Sequence, residues 1–123
     1  MHQWDIVRVR INPKDRDAHP AVILSCEEDC QDREFLRINV LYGSKRPPSA
    51  GVEPWQVLLN GADGLDFQTA VDCGVIYLVP KTNCTPAMGS VGLERRRAIG
   101  RKINFHELGG WFRGAPRPSR ARN

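Results

Sequence analysis

A small, mainly β barrel of the SH3-like kind, carrying one or two short helices, is the fold this sequence predicts. Three observations carry that expectation. The chain has 123 residues, enough for one domain around one core. Its apolar residues fall in short runs of strand length, several of them alternating with polar residues. Between those runs stand polar stretches rich in glycine and proline rather than long amphipathic segments. The barrel is expected over residues 1–110, with residues 111–123 as a basic, disordered C-terminal tail.

The elements follow in chain order. Trp4 to Ile11 sets Val7, Val9 and Ile11 on one face and Arg8 and Arg10 on the other, the period of a half-buried strand. Asn12 to Asp17 is polar and contains a proline, which predicts a loop. Pro20 to Ser25 is a continuous apolar run and reads as a more central strand. An acidic connection, Glu27 to Glu34, leads to a third strand from Phe35 to Tyr42, and Gly43-Ser44 ends it. After the loop Lys45 to Gly51, a weaker strand from Glu53 to Leu59 opens with an edge-type proline, and Asn60 to Gly64 is a turn. A further strand is expected from Gly74 to Val79. Ser90 is placed to cap a helix from Val91 to about Arg97. Residues 98–103 fit either a continuation of that helix or a last strand, because periodicity alone does not separate the two.

Charge is unevenly distributed. Residues 1–90 carry 9 basic and 12 acidic side chains, a balance of −3, whereas residues 91–123 carry 9 and 2, a balance of +7. A basic segment of this kind is either a nucleic-acid footprint or a solvated tail. No apolar run reaches the ~18–20 residues of a membrane-spanning helix, and the first residues lack the layout of a secretory signal, so a cytoplasmic protein with no membrane contact is expected. The 4 cysteines include only one tight pair, Cys26 and Cys30. That is half of what a structural zinc site needs, so no metal and no cofactor is expected.

Asp5-Ile6-Val7-Arg8-Val9, a polar loop and then His19-Pro20-Ala21-Val22-Ile23-Leu24-Ser25 resemble the PemK/MazF-like toxin family. There a G-D-I-V-x-V strand precedes R-P-[AV]-V-[VIL]-[LV]-S. Ile38 to Tyr42 with Gly43-Ser44 is similar to the family strand that ends in an I-T-S step. The basic stretch Arg95 to Ile103 resembles its R-x-I-G-[KR]-[IL] segment. The resemblance runs over roughly residues 4–108 and is best in the first two strands. It implies a CcdB/PemK-like barrel, usually a homodimer, acting as the toxin of a toxin–antitoxin pair with an acidic antitoxin protein as its partner. The implied activity is metal-independent endoribonuclease cleavage of single-stranded RNA, by attack of the RNA's own 2′-hydroxyl on the adjacent phosphate.

That chemistry needs a base for the 2′-hydroxyl proton, an acid for the departing 5′-oxygen and a donor or cation at the phosphate. It also separates RNA from DNA. The family arginine before the proline is His19 here, and the threonine of the I-T-S step is Gly43, followed by a retained serine, Ser44. A further family arginine falls near Lys81, a point charge rather than a bidentate fork. His19 and Ser44 are therefore the catalytic candidates, histidine because it can act as base or acid near neutrality, serine as a hydroxyl donor to phosphate. Lys45, Arg46, Lys81, Arg101 and Lys102 are the candidate RNA-binding residues, positioning phosphates without reading sequence. Each has a plainer alternative: His19 as an extended residue before proline, Ser44 as a turn serine, the cations as a solvated face. Tyr42 and Trp55 fit either a base-stacking role or the core. Two further function classes stay open, a non-catalytic nucleic-acid-binding barrel and a protein-interaction module with a groove between Trp55 and Tyr42.

Overall fold

A computed structural model describes residues 1–10, 14–47 and 51–105; the expected basic tail and Ile11 lie outside them. The described residues form seven strands: β1 (Asp5–Val9), β2 (His19–Ile23), β3 (Arg37–Arg46), β4 (Gln56–Leu59), β5 (Gln68–Asp72), β6 (Tyr77–Pro80) and β7 (Gly89–Ser90). Two α-helices, α1 (Glu27–Gln31) and α2 (Leu93–Phe105), accompany them. The strands form one antiparallel sheet in the order β4-β5-β3-β2-β1-β7, with β6 also on β3.

The sheet curls because β3 changes partners along its length. Residues 37–40 of β3 pair with β6, and residues 43–46 pair with β5. Gly43 stands opposite Val71 and Val40 opposite Tyr77, so residues 73–76 bulge out against Leu41 alone. A bulge of this size adds twist and bends the sheet. The Asp72 carboxylate accepts from the Gly74 backbone N–H at 2.8 Å and fixes the bend. The run Gly74 to Val79, expected as one strand, is therefore half bulge and half β6. The strand ahead of it, β5, was hidden by polar Gln68 and Thr69 flanking its apolar pair.

Both faces of the sheet are buried, each by a different cover. Ile6, Val22, Leu41, Leu59 and Val71 form an inner core with Val91, Ile99 and Ile103, the last two one turn apart on α2. Their burial, about 2 kcal/mol for each large aliphatic side chain, makes residues 98–103 helix rather than strand. Val7, Val9, Ala21, Ile23, Ile38, Val40 and Val79 form an outer core beneath Cys30 of α1. The alternation of β1 was read as a wet face bearing Arg8, yet that face carries fully buried Ile6 and turns inward.

The acidic stretch after β2, expected as a connection, contains α1. Glu27, Glu28 and Asp29 occupy its first turn, where negative charge favours helix. Its last carbonyls are capped from outside by Lys81, whose amine donates to Asp29 at 2.6 Å, to Cys30 at 3.2 Å and to Asp32 at 2.8 Å. The start of α2 is also capped at a distance. Ser90 belongs to β7 instead, and buried Asp63 accepts from the Gly92 N–H at 2.7 Å. Asp63 also accepts from Asn60 N–H at 3.0 Å and pairs with Arg95 at 3.3 Å, tying the turn after β4 to the helix. Among the described residues no helix is long and apolar enough to cross a membrane.

Candidate functional site

The C-terminal ends of β1 and β3 and the N-terminal ends of β2 and β5 meet at one end of the sheet, and the chemistry-bearing side chains gather there. On the outer face, His19 opens β2 opposite Val9. Its ring lies 5.0 Å from that of Tyr42, tilted by 45°, and Tyr42 lies 5.3 Å from Tyr77 at 50°. Three half-buried rings thus cross three neighbouring strands. The Tyr42 hydroxyl donates to the Val9 carbonyl at 3.4 Å. Ala21 stands opposite Tyr42; continued through Pro20 and Gly43, that register sets exposed Ser44 across from His19.

Gly43 departs from the threonine that the resemblance leads one to expect, and its surroundings show why. A Cβ at this position would meet the Thr69 hydroxyl at 2.5 Å and the Pro20 carbonyl at 3.4 Å. Thr69, fully buried, donates to the Ser44 carbonyl at 3.1 Å and so fixes the backbone that presents Ser44.

On the inner face of the same end, the Arg8 guanidinium lies 5.3 Å from the Phe67 ring centre and the Lys45 amine 5.1 Å from it. Arg8 and Phe67 also line an open cleft of about 340 Å³, with Lys45 outside its lining. Arg46, two residues past Ser44, reaches Gln56 at 3.4 Å, while its Nε is buried with no partner among the described residues. Trp55 precedes the edge strand β4, two strands from Tyr42, and the structure brings Tyr42 together with His19 and Tyr77 instead.

The other basic candidates divide by what they touch. Lys81 is the cap of α1 described above, its three donors directed at carbonyls. Lys102 donates to the Pro54 carbonyl at 2.6 Å. Arg95 and Arg96 hold Leu58, Val91 and Ser90, and Arg96 lies over Trp4 at 5.7 Å. Arg101 is exposed on α2. Sequence reading missed Arg8, Phe67 and Tyr77 as site residues. Arg8, a cation in the alternation of β1, is the available signal, and it lies on the inner face rather than on a solvated one.

The cysteines show no reactive environment. Burial pushes the Cys30 thiol up to about 11, with nearby Glu27 adding to it, and the Cys73 thiol up to about 12. Burial raises Cys84 as well, and Cys26 is exposed. Among the described residues no three His, Cys, Asp or Glu side chains are grouped to hold a metal ion.

No family model and no curated protein matches the chain. Solved structures do. The Mycobacterium tuberculosis toxin MazF-mt6 superposes with a TM-score of 0.66 at 16% identity, covering 82% of this chain and 93% of that one. The fold is that of the MazF toxins. A MazE-MazF structure from Deinococcus radiodurans gives a TM-score of 0.65 at 12% identity, over 85% of this chain and 92% of that one. An endoribonuclease in complex with its cognate antitoxin, from a mycobacterial species, gives 0.57 at 19% identity, over 96% and 97%. At such identities the likeness is one of fold, and it agrees with the resemblance in the first two strands. In this MazF-like barrel, His19 stands where that resemblance places an arginine, its ring tilted against a tyrosine and its backbone in the sheet rather than a loop.

Proposed function

We propose that this protein is the toxin of a toxin–antitoxin pair and a metal-independent endoribonuclease acting on single-stranded RNA. The observation that carries the reading is His19 at the open end of a MazF-like barrel, its ring 5.0 Å from that of Tyr42, with Ser44 two residues beyond Tyr42 on the neighbouring strand. In this reading His19 takes the proton of the 2′-hydroxyl. The 2′-oxygen forms a bond to phosphorus, the bond from phosphorus to the 5′-oxygen breaks, and that oxygen takes a proton from water. The products are a 2′,3′-cyclic phosphate and a 5′-hydroxyl. Ser44 donates to a phosphate oxygen as charge builds there. Lys45, Arg46 and Arg101 position the flanking phosphates. Lys81 and Lys102, whose amines hold protein carbonyls, add only to the field.

The reading includes a homodimeric toxin in the cytoplasm, held in check by an acidic antitoxin. The antitoxin partner is supported by the neighbours, among them an endoribonuclease in complex with its antitoxin and a MazE-MazF pair. Induced expression in a bacterial host tests it. Growth is expected to arrest, with new RNA ends appearing in the arrested cells, and the His19→Ala variant at equal abundance is expected to permit growth. Arrest by both forms alike would take His19 out of the mechanism, and normal growth with intact RNA would remove the toxin reading.

A further inference from the structure

Arg8 and Lys45 come from β1 and β3, and both are directed at the single ring of Phe67. Their charges are no further apart than those two distances laid end to end. Among the described residues neither has a carboxylate within ion-pair distance. Cation–π attraction holds each of the two over the ring. The backbones beneath them are fixed. Arg8 exchanges hydrogen bonds with Thr85, its N–H donating to the Thr85 hydroxyl at 2.8 Å and its carbonyl accepting from the Thr85 N–H at 3.0 Å. Lys45 stands opposite Thr69 in the β3–β5 ladder. Arg8 and Phe67 line the cleft together with Gly64, Leu65, Asp66 and Met88, and Lys45 reaches the same ring from outside that lining.

The lining narrows the ligand. Arg8 in the wall, with Lys45 near the same ring, suits an anion, and Met88 and Phe67 offer apolar and aromatic surface beside it. An anionic group attached to a flat, largely apolar ring matches that pair of surfaces. We propose that this cleft binds one nucleotide of the RNA chain, its phosphate held at Arg8 with Lys45 adding its charge from beside Phe67, and its base against Phe67 and Met88. Ser44 and Lys45 are consecutive on β3 and face opposite sides of the sheet. An RNA chain crossing the end of β3 therefore engages the His19 face with one part and this cleft with the next. The cleft is an anchoring subsite, away from the bond that breaks, and it rests on the ribonuclease reading above. Asp66 on its rim opposes the phosphate and weakens the site.

The test uses the full chain with His19→Ala, in EDTA, so that RNA stays intact. Affinity for a single-stranded RNA oligonucleotide is measured between about 50 and 200 mM salt. Each phosphate contact contributes about −0.7 to the slope of log affinity against log salt for single strands. Arg8→Gln and Lys45→Gln are each expected to make the slope shallower by about that amount, while Asp66→Asn tightens binding. Arg33→Gln, an exposed cation elsewhere, is expected to leave the slope unchanged. Lys45 is exposed, so its variant tests the site without threatening the fold; a melting curve checks Arg8→Gln. Slopes that stay at the parent value in both cleft variants would overturn the subsite while leaving RNA binding intact. An equal loss in Arg33→Gln would do the same, because it would show a diffuse field and no local site. Failure of the parent to bind RNA at low salt would remove the ribonuclease reading and the subsite with it, a result distinct from the other two.

Discussion

The Thr69 hydroxyl occupies the space that a side chain at position 43 would need, 2.5 Å from where its Cβ would lie. The glycine and the threonine are one unit, since the same hydroxyl holds the Ser44 carbonyl at 3.1 Å. Gly43→Ala is therefore expected to destabilise the protein by about 1–3 kcal/mol, the usual range for overpacking a filled site. Adding Thr69→Ala removes the obstruction, and the pair is expected to be more stable than the sum of the single changes implies. Denaturant melts of the four forms check this; strict additivity would show that the two positions do not compete for space.

Asp63 joins three segments through the Asn60 and Gly92 N–H groups and the Arg95 guanidinium. Asp63→Ala leaves a partly buried cation and two backbone donors without their acceptor, and a loss of about 3 kcal/mol is expected. Asp63→Asn keeps an acceptor for one N–H and is expected to cost less. A loss under about 0.5 kcal/mol for Asp63→Ala, the level of an ordinary surface substitution, would show that this junction does not hold α2.

Lys81 was expected to touch RNA, and the structure gives its amine to the last turn of α1. Lys81→Gln is expected to lower stability by about 1–2 kcal/mol through the lost charge-assisted cap, with faster amide exchange in α1. Unchanged stability together with a shallower salt slope for RNA binding would return Lys81 to the interface.

The thiols give a pH prediction. Cys30 and Cys73 are raised to about 11 and 12 by burial, above the ~8.5 of a free thiol. A raised thiol favours the folded state below its unfolded value, and that advantage is lost as pH climbs toward the folded value. Stability is thus expected to fall between about pH 8.5 and 11, and alkylation near pH 8 is expected to mark Cys26 alone until denaturant is added. Rapid labelling of Cys73 in the folded protein would contradict its burial.

Much of this fold was legible in the residues, for reasons that also mark the limits. Val7 and Val9 alternate with Arg8, and Pro20 to Ile23 is apolar throughout, so β1 and β2 declared themselves. The helix α1 did not, because five residues show no apolar period; it is held by Cys30 beneath and by Lys81, distant in sequence. The bulge at residues 73–76 left no signal, since nothing in Gly74-Val75-Ile76 distinguishes it from strand. At the site, His19 and Ser44 were visible through their neighbours Pro20 and Gly43. The cleft was not, because Arg8 and Lys45 come to the same Phe67 ring only when β3 curls.

The most direct measurement of the central claim is incubation of the purified protein with a long single-stranded RNA in EDTA, beside His19→Ala, with mapping of the new ends. Defined cuts that carry 2′,3′-cyclic phosphates, and that are lost in the variant, are the expected result. RNA left intact across several substrates would contradict it and leave a barrel that shares the MazF fold without the proposed chemistry.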